Sequence, residues 1–186
     1  MARITERSAC TRPLIDITFI SHGTLDSVNL QESRRFYEEV FGFEVVQLSK
    51  VSLLLRKGGE HTYVVVETGN EDHKMSVMNH NGIDVGSPEE VDRAHATLTV
   101  VKEEYRIRQI HPVRYQHGVY SFYLLDRDGN WWEIVANRPG GYSYAYDDPG
   151  RDITGRHDLV LGNTDHVMDD EIAAKVRDSG DTYSAW

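Results

Sequence analysis

The chain has 186 residues, of which 39% are hydrophobic and 27% charged, as in an ordinary globular protein. No run approaches the roughly 20 apolar residues of a membrane-spanning helix, and the polar residues 1–13 lack the apolar core of a secretory signal, so we expect a cytoplasmic protein. The formal charge of −10 disfavours nucleic acid as a partner. With one cysteine, Cys10, any metal site within the chain must use His, Asp or Glu.

The first half of the sequence predicts a strand, a helix and then three strands. Residues 15–25 are rich in Ile, Thr, Phe and Leu, which favour strands. Asn29 is placed to cap a helix, apolar residues recur at helical spacing over 36–41, and Gly42 is placed to end it. Strands are predicted over 43–48, 51–56 and 61–67.

The same order of elements returns after a polar linker over residues 68–79. A short strand over 80–85 leads to Ser87 and Pro88, typical of a helix start, and helical spacing continues to about residue 104. Three strands are predicted over 107–115, 119–125 and 131–136, with a turn at 126–129. The chain therefore contains two copies of one βαβββ pattern.

The sequence changes character after Asn137. From Gly140 onward, ten Asp and Glu oppose four Lys and Arg, a net charge of −6, and only a short helix over 169–177 is predicted. The segment is too polar to form a core alone. We therefore expect five parts: a flexible N-terminus (1–13), a first module (14–67), a linker (68–79), a second module (80–137) and an acidic C-terminal extension (138–186).

Two segments resemble a known superfamily. His22-Gly-Thr-Leu precedes Phe-Tyr-Glu-Glu-Val-Phe-Gly-Phe at 36–43, and Tyr-Ser-Phe-Tyr-Leu-Leu-Asp-Arg-Asp-Gly-Asn-Trp-Trp-Glu occupies 120–133. Over about residues 17–137 the chain resembles the vicinal oxygen chelate superfamily, which includes glyoxalase I, type I extradiol dioxygenases, fosfomycin-resistance proteins and bleomycin-binding proteins. The resemblance implies an α+β fold in which two βαβββ modules form an incomplete mixed β-barrel around a metal site, followed by an irregular C-terminal tail.

The resemblance also implies where the metal ligands lie: on the first strand of each module and on the last strand of the second. His22, His80 and Glu133 match these positions. Two imidazoles and one carboxylate leave up to three positions open on an octahedral ion, as in non-haem Fe(II) sites. Fe(II) is therefore the expected cofactor, with Mn(II), Ni(II) or Zn(II) as alternatives.

Two catalytic residues are expected beside this metal. His117 is a candidate acid and base, because an imidazole transfers protons near neutral pH. The resemblance implies that Tyr123 contacts a substrate oxygen, and a core tyrosine is the alternative. It also makes Glu67 a candidate fourth ligand, as in glyoxalase I, although its position suggests a register slip of one residue that would turn it to the other face.

Four further residues are candidate substrate contacts. Trp131 shares the ligand-bearing face of the last strand, because side chains alternate along a strand. Thr24 follows the first predicted ligand by two residues and so shares its face. His61 and Tyr63 share a face of the strand over 61–67.

The leading hypothesis is an extradiol-type, ring-cleaving dioxygenase that binds O2 and a catechol-like aromatic through its vicinal oxygens. A glyoxalase- or epimerase-like lyase or isomerase is one alternative, and a metal-free protein that binds a small molecule such as an antibiotic is another. A fosfomycin-type transferase is less favoured, because Arg106, Arg108 and Arg114 are the only evident basic cluster near the second module's loops. The resemblance implies a homodimer, and no membrane partner is expected.

Overall fold

The computed structural model describes residues 13–156, 158 and 170–179. Cys10 and the histidines at positions 157 and 166 lie outside the described residues, as does most of the predicted N-terminal segment. No helix in the part described is long and apolar enough to cross a membrane.

The first module forms a four-stranded sheet with one helix. Its elements are β1 (His22–Ser27), α1 (Leu30–Glu39), β2 (Glu44–Ser49), β3 (Ser52–Arg56) and β4 (Thr62–Glu67). The strand order is β1-β4-β3-β2, in which β1 runs parallel to β4 and the other pairs are antiparallel.

The predicted start of β1 at residue 15 is wrong, because the strand begins at His22. Its hydrogen-bonded neighbour β4 reaches back only to Thr62, which pairs with His22. Residues 13–21 therefore have no strand to pair with in the described chain, despite their strand-favouring composition.

The second module repeats the order. A 3₁₀ helix (Val77–Asn79) ends the linker and leads to β5 (Asn81–Val85), α2 (Pro88–Val101), β6 (Gln109–Ile110), β7 (Arg114–Gln116), β8 (Val119–Leu125) and β9 (Trp131–Ala136). The sheet order is β5-β9-β8-β6, and β7 also pairs with β8. The single strand predicted over 107–115 is divided into β6 and β7 around Pro112, which has no N–H to donate to a ladder.

The predicted starts of α1 and α2 are confirmed by their caps, whereas α2 ends at Val101 rather than near residue 104. The Asn29 side chain accepts a hydrogen bond from the Glu32 N–H at 3.1 Å, and the Ser87 hydroxyl accepts one from the Glu90 N–H at 3.3 Å. After α1, Gly42 takes a left-handed φ of 62° and its N–H donates to the Glu38 carbonyl.

The α+β class and the two βαβββ modules are confirmed. The two sheets remain separate within the described residues and do not close into one barrel. The tail adds two 3₁₀ helices (Gly141–Tyr146 and Pro149–Arg151) and a third α-helix, α3 (Asp170–Ser179).

One aromatic cluster joins the two modules. Trp132 on β9 is buried, and its ring centre lies 5.8 Å from Tyr37 on α1 and 5.2 Å and 5.9 Å from Phe41 and Phe43. Large aromatic rings bury more apolar area than other side chains, so this cluster supplies much of the hydrophobic contact between the modules.

A buried carboxylate organises the turn between β8 and β9. Asp126 is fully buried and accepts hydrogen bonds from the N–H groups of Asp128 and Asn130, both at 2.9 Å. It also accepts one from the Tyr37 hydroxyl at 3.1 Å and one from the Trp132 indole at 2.9 Å. The same carboxylate therefore shapes the turn and holds the first module's helix against the second module.

The neighbouring polar residues of this turn also reach the first module. Asp128 accepts from the Ser33 hydroxyl at 2.6 Å and from the Val28 N–H at 2.9 Å. The Asn130 side chain exchanges two hydrogen bonds with the main chain of Asp26, at 2.9 and 3.3 Å. The turn thus satisfies main-chain groups at the end of β1 and the start of α1.

We expect Asp126→Asn to lower the free energy of unfolding by about 3 kcal/mol at pH 7, because the amide has one acceptor oxygen and turns an NH2 toward other donors. Urea unfolding measures this effect. The exposed linker variant Asp72→Asn is the control and should stay within about 0.5 kcal/mol of wild type.

The difference in stability between wild type and Asp126→Asn should also depend on pH. Burial, and then the charge of Asp128, raise the pKa of Asp126 from 3.8 to about 6. The charged form therefore lowers stability fully above about pH 6, and this penalty disappears as pH falls to 3.8. Wild type should gain about 2 kcal/mol relative to Asp126→Asn between pH 7 and 4; a loss instead would mean that the fold lowers this pKa.

Candidate metal centre

His80 and Glu133, two of the three predicted ligands, lie together on the second sheet. The His80 Nε2 atom is 3.5 Å from Glu133 Oε2. His80 follows the 3₁₀ helix immediately before β5, and Glu133 lies in β9, which runs parallel to β5. The parallel pairing places the start of β5 next to the middle of β9.

Glu133 is a buried carboxylate with an unused acceptor. The residue is 3% exposed, and its Oε1 atom has no hydrogen-bond partner. Burial alone would raise its pKa, but contacts with His80 and Ser121 outweigh burial and lower the pKa below its ordinary value. A buried anionic oxygen without a donor is costly unless a cation supplies the missing contact.

The His80 ring is oriented for a metal. Its Nδ1 atom lies 2.6 Å from the Val77 carbonyl oxygen, which can only accept, so Nδ1 carries the proton. In the neutral ring, Nε2 then presents a lone pair toward Glu133. Burial lowers the pKa of His80, but hydrogen bonds to Glu133 and Val77 raise it overall, and a metal would compete with a proton for Nε2.

The position on β5 that pairs with Glu133 carries no side chain. Gly82 pairs with Glu133 in the sheet register, and a Cβ placed on Gly82 would meet no atom within 4 Å. The orphaned oxygen, the oriented imidazole and this open space fit two ligands of a divalent metal site.

His117 and Tyr123 lie next to this pair. His117 Nε2 is 3.3 Å from the Tyr123 hydroxyl, in a hydrogen bond whose direction depends on the tautomer, and 3.9 Å from Glu133 Oε1. Tyr123 faces Glu133 across the β8–β9 ladder. The two residues predicted to be catalytic are therefore brought to the carboxylate.

An unusual backbone conformation presents the His117 ring. His117 and Gly118 form the two-residue turn between β7 and β8, with φ of 36° and 86°. Two-residue hairpins need positive φ at these positions, and His is among the few non-glycine residues enriched there. Such local strain is often found at functional sites.

Aromatic rings form the wall beside the pair. The Trp131 ring lies 5.0 Å from His111, and the Tyr123 ring lies 4.8 Å from His80. The Trp131 indole N–H donates to the Met75 carbonyl at 3.1 Å, which ties the linker to this wall. Both rings are buried, so they form the apolar packing around the pair.

The tail supplies a neighbour that the sequence patterns did not indicate. Gly141 packs against Asp84 of β5 so closely that a Cβ there would lie 3.0 Å from Asp84 Oδ2. Burial, followed by the charges of Glu133, Tyr144 and Asp84, raises the pKa of Tyr142 to about 12. Neither residue lies in a recognisable motif, and their proximity depends on how the tail folds back.

His22, the third predicted ligand, does not join the other two within one chain. It is exposed at the start of β1, and its Nδ1 atom is 2.7 Å from the Ser21 hydroxyl. Thr24 is exposed on the same face. Among residues 13–156, 158 and 170–179, no three His, Cys, Asp or Glu side chains are placed to hold one metal ion.

His61 and Tyr63 line a cavity of about 310 Å³ together with Gly82, Asp84 and Trp132. The exposed His61 ring lies within hydrogen-bond distance of the Ile20 carbonyl, at 3.1 Å, and half-buried Tyr63 packs on Trp132 with ring centres 5.8 Å apart. The register places Tyr63 and Glu67 on the opposite face of the first sheet from His22.

Comparison with known proteins places this geometry in context. Residues 20–134 match the family model of the glyoxalase/bleomycin resistance protein/dioxygenase superfamily. Over 145 residues the chain is 28% identical to a probable trivalent organoarsenical cleaving enzyme of Bacillus subtilis (strain 168), covering 76% of this chain and 96% of the relative.

Two solved structures are similar in fold. The fosfomycin resistance protein FosX from Listeria monocytogenes, complexed with Mn(II) and sulfate, has a TM-score of 0.55 at 21% identity, over 70% of this chain and 99% of its own. A possible glyoxalase from Bacillus cereus has a TM-score of 0.52 at 20% identity, over 64% and 100%.

The strained turn gives a prediction. His117→Asn should stay within about 0.5 kcal/mol of wild type in unfolding free energy, because Asn tolerates a left-handed φ, whereas His117→Val should lose about 2 kcal/mol. Urea unfolding measures both free energies. Tyr115→Val, on the neighbouring strand β7, is the control. Equal stability of the Asn and Val variants would contradict the left-handed turn.

Proposed function

Because the chain belongs to the glyoxalase/bleomycin resistance protein/dioxygenase superfamily, we propose that it is a metal-dependent enzyme whose metal is held by His80 and Glu133. The observation that carries this proposal is the buried, unpartnered Glu133 oxygen beside an imidazole with its lone pair turned inward. We further propose that the metal is Fe(II), with Mn(II), Ni(II) or Zn(II) as alternatives, and that the reaction is extradiol-type cleavage of a catechol-like ring by O2.

In this proposal the third ligand is His22 of a second copy of the chain. The face of the first sheet that carries His22 is partly uncovered, and its register aligns Thr24, Val64, Leu54 and Val46 in one row across the four strands. Val46 is 54% exposed. Exposed apolar surfaces of this kind mark protein contacts, so a homodimer would cover this face and bring His22 to the metal.

The segment before β1 supports the same assembly. It leaves five large apolar side chains exposed: Leu14, Ile15, Ile17, Phe19 and Ile20. Leaving this much apolar area in water is unfavourable, by about 25 cal/mol for each Å². A second copy is the simplest partner, because closed symmetric homodimers are the commonest protein assemblies.

The metal would supply positive charge that draws both substrate oxygens and O2 to one place and stabilises the developing negative charge. The Tyr123 hydroxyl would donate a hydrogen bond to one of the two substrate oxygens. His117 Nε2 would accept the proton that a hydroxyl group of the substrate releases. In the overall reaction both atoms of O2 enter the product, one ring C–C bond breaks, and its carbons become a carboxylate and an aldehyde.

The surroundings favour an uncharged aromatic substrate. The Trp131 and Tyr123 rings pack beside His111 and His80, and the carboxylates of Glu133 and Asp84 lie nearby. An anionic substrate such as a phosphonate would be repelled by these groups. Two of the three arginines considered for a phosphonate, Arg106 and Arg108, line a separate cavity.

A lyase or isomerase is the first alternative, and it needs a carboxylate to move a proton beside the metal. Glu67 lies on the opposite face of the first sheet from His22, so Asp84 is the better placed carboxylate for that reaction. Metal-free binding of a small molecule is the second alternative, and the oriented His80 ring argues against it.

Carbon–arsenic bond cleavage is a further candidate, favoured by the 28% identity to the organoarsenical cleaving relative over nearly that protein's whole length. Trivalent arsenic is a soft centre that prefers thiolates, and this chain has one cysteine. Release of inorganic arsenic from a trivalent aromatic arsenical would therefore have to proceed without a thiolate pair from one chain.

Anaerobic purification and elemental analysis test the metal. We expect near one Fe per chain, at least a tenfold lower content in His80→Ala and Glu133→Gln, and no change in the exposed control Glu103→Gln. Oxygen uptake with catechols should fall in step. Metal-free wild type after reconstitution with Fe(II), Mn(II), Ni(II) and Zn(II) would refute the metalloenzyme; bound metal without oxygen uptake would favour the alternatives.

Mixing two inactive variants tests the shared site. His22→Ala and Glu133→Gln should each lack activity, and refolding them together should restore roughly a quarter of wild-type activity, because half of randomly formed dimers carry one intact site of two. His22→Ala refolded with its own copies is the control. No recovery in the mixture, with dimers present, would show that His22 does not act across copies.

A further inference from the structure

A cavity of about 300 Å³ lies where the β8–β9 turn meets the linker and the segment after α2. It is lined by three arginines, Arg106, Arg108 and Arg127, with Val28 and Glu71. None of the residues of the candidate metal centre lines it. Three guanidinium groups around one cavity concentrate positive charge there, which Glu32 and Asp128 offset in part at Arg127.

Arg127 is buried and incompletely satisfied. Its side chain is 8% exposed, one end pairs with Glu32 at 2.8 Å, and its Nε atom is 3.7 Å from Asp128 Oδ1. That Nε atom has no hydrogen-bond partner. A buried guanidinium N–H without an acceptor is costly, and an external acceptor would remove the cost.

Arg108 is held rigidly, and no acidic side chain in the described part of the chain forms an ion pair with it. Its Nε, Nη1 and Nη2 atoms donate to the main-chain carbonyls of Arg127 at 2.8 Å, His73 at 2.6 Å and Glu71 at 3.0 Å. Carbonyl groups fix the orientation of the guanidinium without cancelling its charge. A charged group that is already ordered loses little entropy when a ligand binds.

Arg106 occupies a position where glycine is usual. It follows the end of α2 with a left-handed φ of 53°, and the flanking hydrogen bonds Ile107 N–H to the Lys102 carbonyl and Arg106 N–H to the Glu103 carbonyl close the helix. A long side chain here is strained. No described acidic side chain forms an ion pair with Arg106, so its positive charge is available to a ligand in the cavity.

We propose that Arg106, Arg108 and Arg127 form a binding site for the phosphoryl group of a small molecule. Planar guanidinium forks match the oxygens of a tetrahedral oxyanion and bind them in bidentate fashion. The cavity is larger than one phosphate ion, so part of the attached molecule also fits. Glu71, the one carboxylate among the lining residues, opposes the anion and limits its affinity.

Thermal unfolding with inorganic phosphate as the probe tests this site. At constant ionic strength, 10 mM phosphate should raise the Tm of wild type by about 3 °C relative to chloride, and acetate should raise it less. Glu71→Gln should increase the phosphate effect. Arg106→Gln should lose at least half of it, while Arg93→Gln, which removes an exposed cation from α2, should keep it.

Arg106→Gly separates binding from folding. Relief of the left-handed strain should raise its Tm by about 2 °C without phosphate, yet the phosphate effect should fall as in Arg106→Gln. Glu133→Gln should retain the full effect, which distinguishes this site from the metal centre and makes the test independent of the proposed activity. No Tm increase in wild type, or equal increases in Arg106→Gln and Arg93→Gln, would overturn the proposal.

Discussion

The buried carboxylate of Asp126 is the interaction on which the arrangement of the two modules depends. It shapes the turn that leads into β9, and through Tyr37 and Trp132 it holds α1 against the second sheet. Since Glu133 is the third residue of β9, the same turn determines the register in which that carboxylate faces Tyr123 and Gly82. The buried carboxylate of the turn thus positions the proposed metal ligand without contacting it.

Much of the fold could be predicted because its signals are local. Asn29 and Ser87 cap helices through their own side chains, and the turn at 126–129 follows from side chains that bond their own backbone. The start of β1 could not be placed in the same way. A strand extends only as far as the strand with which it pairs, and β4, the partner of β1, lies forty residues away along the chain.

The residues of the candidate site also differ in whether local sequence signals predict their positions. His80, Glu133, His117 and Tyr123 come together because three neighbouring elements of one sheet carry them, and that arrangement follows from the repeated βαβββ pattern. His22 belongs to the other sheet, and nothing local indicates whether the two sheets meet within one chain or between two. The approach of Tyr142 and Asp84 was also beyond prediction, because the tail follows no periodic pattern.

His117 and His22 are the two histidines that could accompany His80 as a metal ligand. His117 lies 3.9 Å from Glu133 within the chain, where we propose a proton-transfer role for it, whereas we propose that His22 comes from a second copy. Their positions therefore make ligand identity the sharpest question about this centre. The identity of that ligand also decides whether the exposed apolar face of the first sheet takes part in forming the metal site.

X-ray absorption spectroscopy at the iron edge, on protein loaded anaerobically with Fe(II), answers it by counting imidazole ligands. We predict two imidazole ligands in wild type and in His117→Asn, and one in His22→Ala. Two imidazoles in His22→Ala together with one in His117→Asn would contradict this prediction, and would place the whole ligand set within a single chain.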